Sequence, residues 1–290
     1  MNSRSPNGEP ALKAYRIRVE RKDLERYLAI REVEGLSRTW LYDIRYFLTS
    51  YLDSVGWTVD EDSSLDYFKR LKDRYSTTAY RKHLYQIRRF LTYLGVEWAR
   101  DIKPPAEPYN TPKRITIDDI RATLSYFERC KYFVKIRALI LLGATSGMRA
   151  HELYQLKMSD IDLDRRVVYI NHDPKNGQSV KTGKSRISFF TMEAKEALEA
   201  YVSTLNDGDR LFPERQIQYL FENAPIHVKD LRKFFSQEWD RRGGPTSVKK
   251  ILMGHSLKDD VDLMHYNYQS EDDLKRIYDR FMEHEIKVSY

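Results

Sequence analysis

The chain of 290 residues contains a single cysteine, Cys130, so no internal disulfide can form. A chain without disulfides fits a reducing compartment, and the expected location is the cytoplasm. The seven histidines are scattered, and no Cys/His cluster has the spacing of a zinc site, so no metal is expected. No glycine-rich phosphate loop occurs, which argues against ATP use; no cofactor is expected. Long apolar runs are missing as well. The longest, "ALILLGA" at 138–144, falls far short of the ~20 residues that span a bilayer. The opening "MNSRSPNGEPALKAY" is polar and lacks the apolar stretch of a secretion signal, so no membrane partner is expected. Internal repeats and low-complexity tracts are also absent.

What is present is apolar mass and positive charge. Hydrophobic residues make up 41% and charged residues 32%, a soluble globular composition, and the length suggests two domains. The net charge of +7 favours a polyanionic partner such as nucleic acid. The charge is concentrated. Lys69, Arg70, Lys72, Arg74, Arg81, Lys82, Arg88 and Arg89 fall within one stretch whose only acid is Asp73. Flanking segments balance their charges, and this one does not. These eight residues are the candidate contacts to DNA phosphates, and association with the nucleoid follows from that reading.

Residues 1–15 read as a disordered arm. From 16 to 101 the apolar spacing is helical and predicts a bundle of about four helices. "DLERYLAIREV" carries Leu24, Leu28 and Ile30, and "TWLYDIRYFLTSYLDSVG" carries Leu41, Ile44, Phe47, Leu48, Tyr51 and Leu52. A third helix is expected after a Ser64 cap, and a fourth, with Leu84, Ile87, Phe90 and Leu91, stops at Gly95. "DIKPPAEPYNTPKRI" holds four prolines, which marks 102–115 as an extended linker. From 116 to 290 helical periods dominate again. The exceptions are "RRVVYINH" and "SRISFFT", two strand-like segments joined by the lysine-bearing loop "DPKNGQSVKTGK". The expected fold is mainly α with a small β-hairpin sheet: an N-terminal helical bundle, a linker, and an α+β catalytic domain ending in a tail.

Three short boxes stand in that second domain. In "TSGMRAHEL", Arg149 follows a glycine at a helix start, and Glu152, three residues on, shares its face. In "KDLRKFF", Lys229 and Arg232 are helical neighbours, with Leu231, Phe234 and Phe235 facing the other way. In "ILMGHS", His255 follows a glycine where an apolar helix ends; "DLMHYNYQS" then places Tyr266 eleven residues later and Tyr268 two beyond that. Taken singly, each box is equally a surface ion pair, an amphipathic helix, a capping histidine or packed aromatics.

In order, they resemble the tyrosine recombinase, or phage-type integrase, family. "SGMRAHEL" is similar to that family's first box, "KTGKSRISFF" to its hairpin lysine segment with Lys181 first, "KDLRKFF" to its second box, "LMGHS" to its third, and "HYNYQS" to the nucleophile segment. The resemblance covers about residues 112–282. Lys229 departs from the usual histidine, which leans toward archaeal viral and plasmid integrases. The resemblance implies site-specific recombination through a 3′-phosphotyrosine intermediate, without metal or ATP, on double-stranded DNA sites held by a homo-tetramer. It implies catalytic roles for Arg149, Lys181, Lys229, Arg232, His255 and the nucleophile Tyr266, with Glu152 supporting them and Lys184 on DNA. Lys175 and Lys184 rival Lys181 as the general acid. Two other readings stay open: a type IB topoisomerase that relaxes DNA, and a sequence-specific DNA-binding protein without catalysis.

Overall fold

The computed structural model describes residues 16–205, 210–255 and 269–283. The chain divides into two compact units, Met1–Thr111 and Pro112–Tyr290, each with its own hydrophobic core.

In the first unit, the short strands β1 (Ile17–Arg18) and β2 (Thr58–Val59) pair antiparallel around α1 (Arg21–Val33) and α2 (Arg38–Ser54). Then come α3 (Glu61–Arg74) and α4 (Thr77–Tyr93). Ile44, Leu48, Tyr51 and Leu52 of α2 meet Ile87, Phe90 and Leu91 of α4 in the core, all at 0% exposure. In α1 the buried stripe is Leu24, Tyr27, Leu28 and Arg31; Ile30 lies off that face and is 40% exposed. Ser64 does not cap α3. Asp60 does, accepting from the Ser63 N–H at 2.8 Å. Ser64 lies inside the helix, where its buried hydroxyl bonds the Asp60 carbonyl at 2.5 Å and the Tyr51 phenol at 2.6 Å.

The second unit is mostly helical. It contains α5 (Ile117–Phe127), α6 (Phe133–Ser146) and α7 (Ala150–Tyr154). A three-stranded antiparallel sheet follows, in the order β3 (Ile161–Asp162), β4 (Val167–Ile170), β5 (Arg186–Phe189). The β4–β5 hairpin matches the expectation from sequence; β3 is an addition too short to show a period. Next are α8 (Met192–Val202), α9 (Glu214–Leu220), α10 (Val228–Arg241), α11 (Thr246–Met253) and α12 (Glu271–Tyr278). A π turn, Asp279–Glu283, closes the described chain. No helix among the described residues is long and apolar enough to cross a membrane.

α6 is the axis of this unit. Every residue from Ala138 to Ser146 is buried, so this stretch of the helix is packed on all sides. Burying Leu139, Ile140, Leu141 and Leu142 contributes about 1.5–3 kcal/mol each. α10 lies on it through Leu231, Phe234 and Phe235. The far end of the chain returns to the same helix. Tyr278, fully buried, donates its phenol proton to the Thr145 carbonyl at 2.9 Å, and burial drives that phenol's pKa far above the usual range. Arg166 reaches from the β3–β4 turn to Asp279 at 3.0 Å and also pairs with Glu283.

Candidate active site

α6 ends at Gly147, whose φ of 65° is left-handed. A Cβ there would lie 2.5 Å from the ring of Phe235, so both the backbone and the packing require glycine. The chain then turns at once into α7, with Arg149 at its N-cap position and Glu152 three residues on. Glu152 is buried. Its Oε2 accepts the Arg149 backbone N–H at 2.8 Å, and its Oε1 accepts Arg149 Nη1 at 2.9 Å. Burial alone would raise the Glu152 pKa, but the bonds and charges of Arg186 and Arg149 outweigh it and hold the carboxyl below its usual range.

Arg232 comes from α10, one turn after the exposed Lys229. Its Nη1 donates to the Gly147 carbonyl at 2.6 Å and its Nη2 to the Met253 carbonyl at 2.8 Å. Burial, reinforced by the charges of Arg149 and Arg186, pulls its pKa down to about 10, so it is still a cation at neutral pH. Arg149 Nη2 donates to the next carbonyl, Gly254, at 3.2 Å. The C-terminus of α11 therefore faces the guanidiniums with its unpaired carbonyls, the negative end of the helix. His255 follows directly, exposed, its backbone N–H on the Lys250 carbonyl at 3.0 Å. Though the residue is exposed overall, its ring is partly desolvated against the arginines; that desolvation, then the charges of Arg232, Arg149, Lys249 and Arg186, lower its pKa, which favours neutral imidazole at pH 7.

Arg149, Glu152, Arg232 and His255 thus meet at one place. Lys229 lines a neighbouring groove of about 760 Å³ with His151, Tyr154, Arg215 and Tyr219. Lys175, Lys181 and Lys184 are exposed on the β4–β5 loop and bond no charged side chain among the described residues. The root of that loop is anchored: the Ser179 N–H donates to Gln155 Oε1 at 2.7 Å, and Gln178 donates to Asp160 at 2.7 Å. Tyr266 and Tyr268 lie outside the described residues, as does the tail 284–290.

One member of the cluster did not stand out in the sequence. Arg186, the first residue of β5, donates Nη1 and Nη2 to the two oxygens of Glu152 at 3.0 and 2.7 Å. Its only prior signal was its place five residues after Lys181 in "KTGKSR".

The eight basic residues of the first unit lie four on α3 and four on α4 and are differently committed. Lys69 pairs with Asp66 at 3.1 Å, Arg70 bonds Ser54 at 2.9 Å, and Arg74 sits over the Tyr75 ring. Arg81 donates to the Pro105 carbonyl, Arg88 to the carbonyls of Ala99 and Arg100, and Arg89 pairs with Glu34 at 3.3 Å. Lys72 and Lys82 are exposed and bond no charged side chain among the described residues.

A mainly helical unit with a small antiparallel sheet, holding guanidiniums against the end of one helix, has the architecture of an integrase catalytic domain. Residues 113–258 match the phage integrase family, and the chain belongs to that family, the tyrosine recombinases. Tyrosine recombinase XerA of Thermococcus onnurineus is 26% identical over 243 residues, covering 83% of each chain. XerA of Saccharolobus solfataricus is 27% identical over 215 residues, covering 71% of this chain and 69% of its own. Among solved structures, lambda integrase (75-356), a dimer bound to a COC′ core site, superposes with a TM-score of 0.64 at 14% identity, covering 87% of this chain and 98% of that one. The Tn1549 transposon integrase with a circular intermediate DNA gives 0.63 at 15% identity, covering 89% and 98%. These likenesses establish the fold.

Proposed function

We propose that the chain cuts and rejoins DNA at specific sites through a 3′-phosphotyrosine intermediate on Tyr266. The observation that carries this reading is the convergence of Arg149 and Arg232 on the successive carbonyls Met253 and Gly254. Among the described residues, each guanidinium spends two of its five N–H donors on protein in these side-chain bonds, and the others are the donors proposed for an anion. A phosphodiester in transfer builds charge on its non-bridging oxygens, and two preorganised guanidiniums are suited to hold it.

The step balances without a cofactor. The Tyr266 oxygen bonds to phosphorus, the bond to the 5′-oxygen breaks, and the 3′-phosphate stays on the enzyme. An ordinary phenol, with pKa near 10, is largely protonated at pH 7, so it needs a proton acceptor and nearby cations. Neutral His255 beside the arginines suits that role. The 5′-oxygen leaves as a hydroxyl, with Lys181 as the proposed proton donor and Lys175 and Lys184 as alternatives on the same loop; such an acid contributes about 10²–10⁴-fold. Lys229 acts electrostatically on the phosphate. Glu152 orients Arg149. The reverse attack by a 5′-hydroxyl rejoins the strand.

The assembly proposed on synapsed sites is a homo-tetramer, acting in the cytoplasm on chromosomal or plasmid DNA, with the α3–α4 basic residues on phosphates. Lambda integrase, whose fold this chain shares, has been solved as a tetramer bound to a Holliday junction. The test is a nicked duplex that traps the covalent adduct on DNA from the source. Tyr266→Phe should bind but form no adduct, while Tyr268→Phe should still form one. An adduct that survives Tyr266→Phe and vanishes in Tyr268→Phe moves the nucleophile by two residues. No adduct with the unsubstituted chain on any source DNA overturns the reading.

A further inference from the structure

Arg186 takes no part in the chemistry proposed above, yet its side chain ties three segments of the site together. It starts at β5, where its backbone pairs with Ile170 of β4. Its guanidinium crosses to Glu152 on α7, and its Nε donates to the Leu252 carbonyl at 2.9 Å. The stem passes beneath the end of α11. A Cβ on Gly254 would lie 2.8 Å from Arg186 Cδ.

Two regularities follow from these bonds. Each oxygen of Glu152 accepts one bond from Arg149 and one from Arg186: Oε1 takes Nη1 of both, and Oε2 takes the Arg149 backbone N–H and Arg186 Nη2. Then the last carbonyls of α11 are shared out in order, Leu252 to Arg186, Met253 to Arg232 and Gly254 to Arg149. One helix terminus therefore sets the spacing of three guanidiniums, and one carboxylate fixes the relation between two of them.

The Arg186 and Glu152 side chains are only 7% and 2% exposed. Arg149, at 24%, is the open one of the pair that Glu152 joins. An ion pair this deep is tolerated because the fork geometry satisfies both partners. Arg186 is too enclosed to reach a DNA phosphate itself.

We propose that Arg186 is a positioning residue that, through Glu152 and the end of α11, holds Arg149 at the angle needed to clamp the scissile phosphate. This rests on the recombinase reading above. Lysine at 186 keeps the charge but cannot make the fork to both carboxylate oxygens while bonding Leu252. Glu152 would then be free to turn, and the Arg149 guanidinium would turn with it.

The test compares two linkages in the DNA site mapped by the adduct trap. One nicked duplex carries the ordinary scissile phosphodiester. The other carries a methylphosphonate there, which lacks one non-bridging oxygen and its charge. With Arg186→Lys, adduct formation on the phosphodiester should slow by roughly 10²-fold, the scale of losing one preorganised donor. On the methylphosphonate the deficit should shrink to about threefold or less, since the charge that Arg149 clamps is gone. Both linkages are assayed on one protein preparation, so the fraction of folded protein cancels from the ratio. An equal deficit on both linkages would show a structural role only, and no deficit on either would remove the role altogether. Should Arg186→Lys give no folded protein, Glu152→Gln, which weakens the same junction, takes its place with the same two outcomes. Failure of the unsubstituted chain to form an adduct counts against the recombinase reading instead.

Discussion

Replacing Gly147 with alanine should damage the second unit at the point where α6 hands over to Arg149. Two costs add. A side chain at φ 65° carries about 1–2 kcal/mol of left-handed strain. The new methyl would also stand 2.5 Å from Phe235 Cδ1 and 2.8 Å from Cε1, and forcing a buried ring aside costs about 1–3 kcal/mol. The sum, about 2–5 kcal/mol, corresponds to a fall in Tm of roughly 5–15 °C for a unit of this size. Gly243→Ala is the control. Its φ of 75° imposes the same backbone strain, but nothing lies within 4 Å of the added Cβ. Thermal unfolding of the full chain should therefore show Gly147→Ala clearly below Gly243→Ala. Trimming the ring with Phe235→Leu should make the double change milder than the sum of the two single changes by at least about 0.5 kcal/mol. The Gly147 carbonyl also accepts from Arg232, so adduct yield should fall with stability. Equal melting of the two alanine variants, or strict additivity with Phe235→Leu, would refute the steric argument.

Tyr278→Phe leaves the buried Thr145 carbonyl without its donor and should cost about 1–3 kcal/mol in urea unfolding; a neutral result would mean the bond is not formed. Lys72→Ala and Lys82→Ala should each lower the slope of log K against log salt by about 0.9, while Arg88→Ala, whose donors serve Ala99 and Arg100, should change it less. Identical slopes for all three would reject that sorting. Because burial and the arginines depress the His255 pKa, cleavage should persist as pH falls through the ordinary histidine value of about 6.5 and fail only below it. His255→Gln should abolish that limb, and a limb at or above 6.5 in the unsubstituted chain would contradict the assignment. Lys229→Ala should cut adduct formation strongly and Lys229→His should restore part of it; full activity of the alanine variant would make the position structural.

Much of the fold is legible because helices advertise their faces locally. The spacing of Ile44, Leu48, Tyr51 and Leu52 is a buried stripe before any partner is known. The β4–β5 hairpin shows itself by a change of period. What escapes notice depends on distant partners. The pairing of β1 with β2 joins residues Ile17 and Val59 through strands too short to carry an alternation. Asp60 wins the α3 cap from Ser64 because Tyr51, on another helix, takes the serine hydroxyl into the core. The site divides the same way. Arg149 and Glu152 sit three apart and announce each other, whereas Arg186 meets Glu152 across 34 positions, and neither its residue type nor its strand predicts that.

The return of the chain to α6 has a consequence for the order of events during synthesis. Leu274, Tyr278 and Met282 complete the core that surrounds α6, and Met282 and Tyr278 are wholly enclosed by it. On a ribosome, the first unit has all its core residues by Ile102 and can close while the rest is being made. The second unit cannot. Until residue 282 clears the exit tunnel, the end of α6 at Thr145 and the Phe189 ring of β5, both of which Tyr278 covers, remain open. The arginine cluster thus stands on an unfinished scaffold until Leu274, Tyr278 and Met282 arrive. A nascent chain whose first unit has closed would still lack a closed catalytic unit, which keeps strand cutting out of reach until residue 282 has been made.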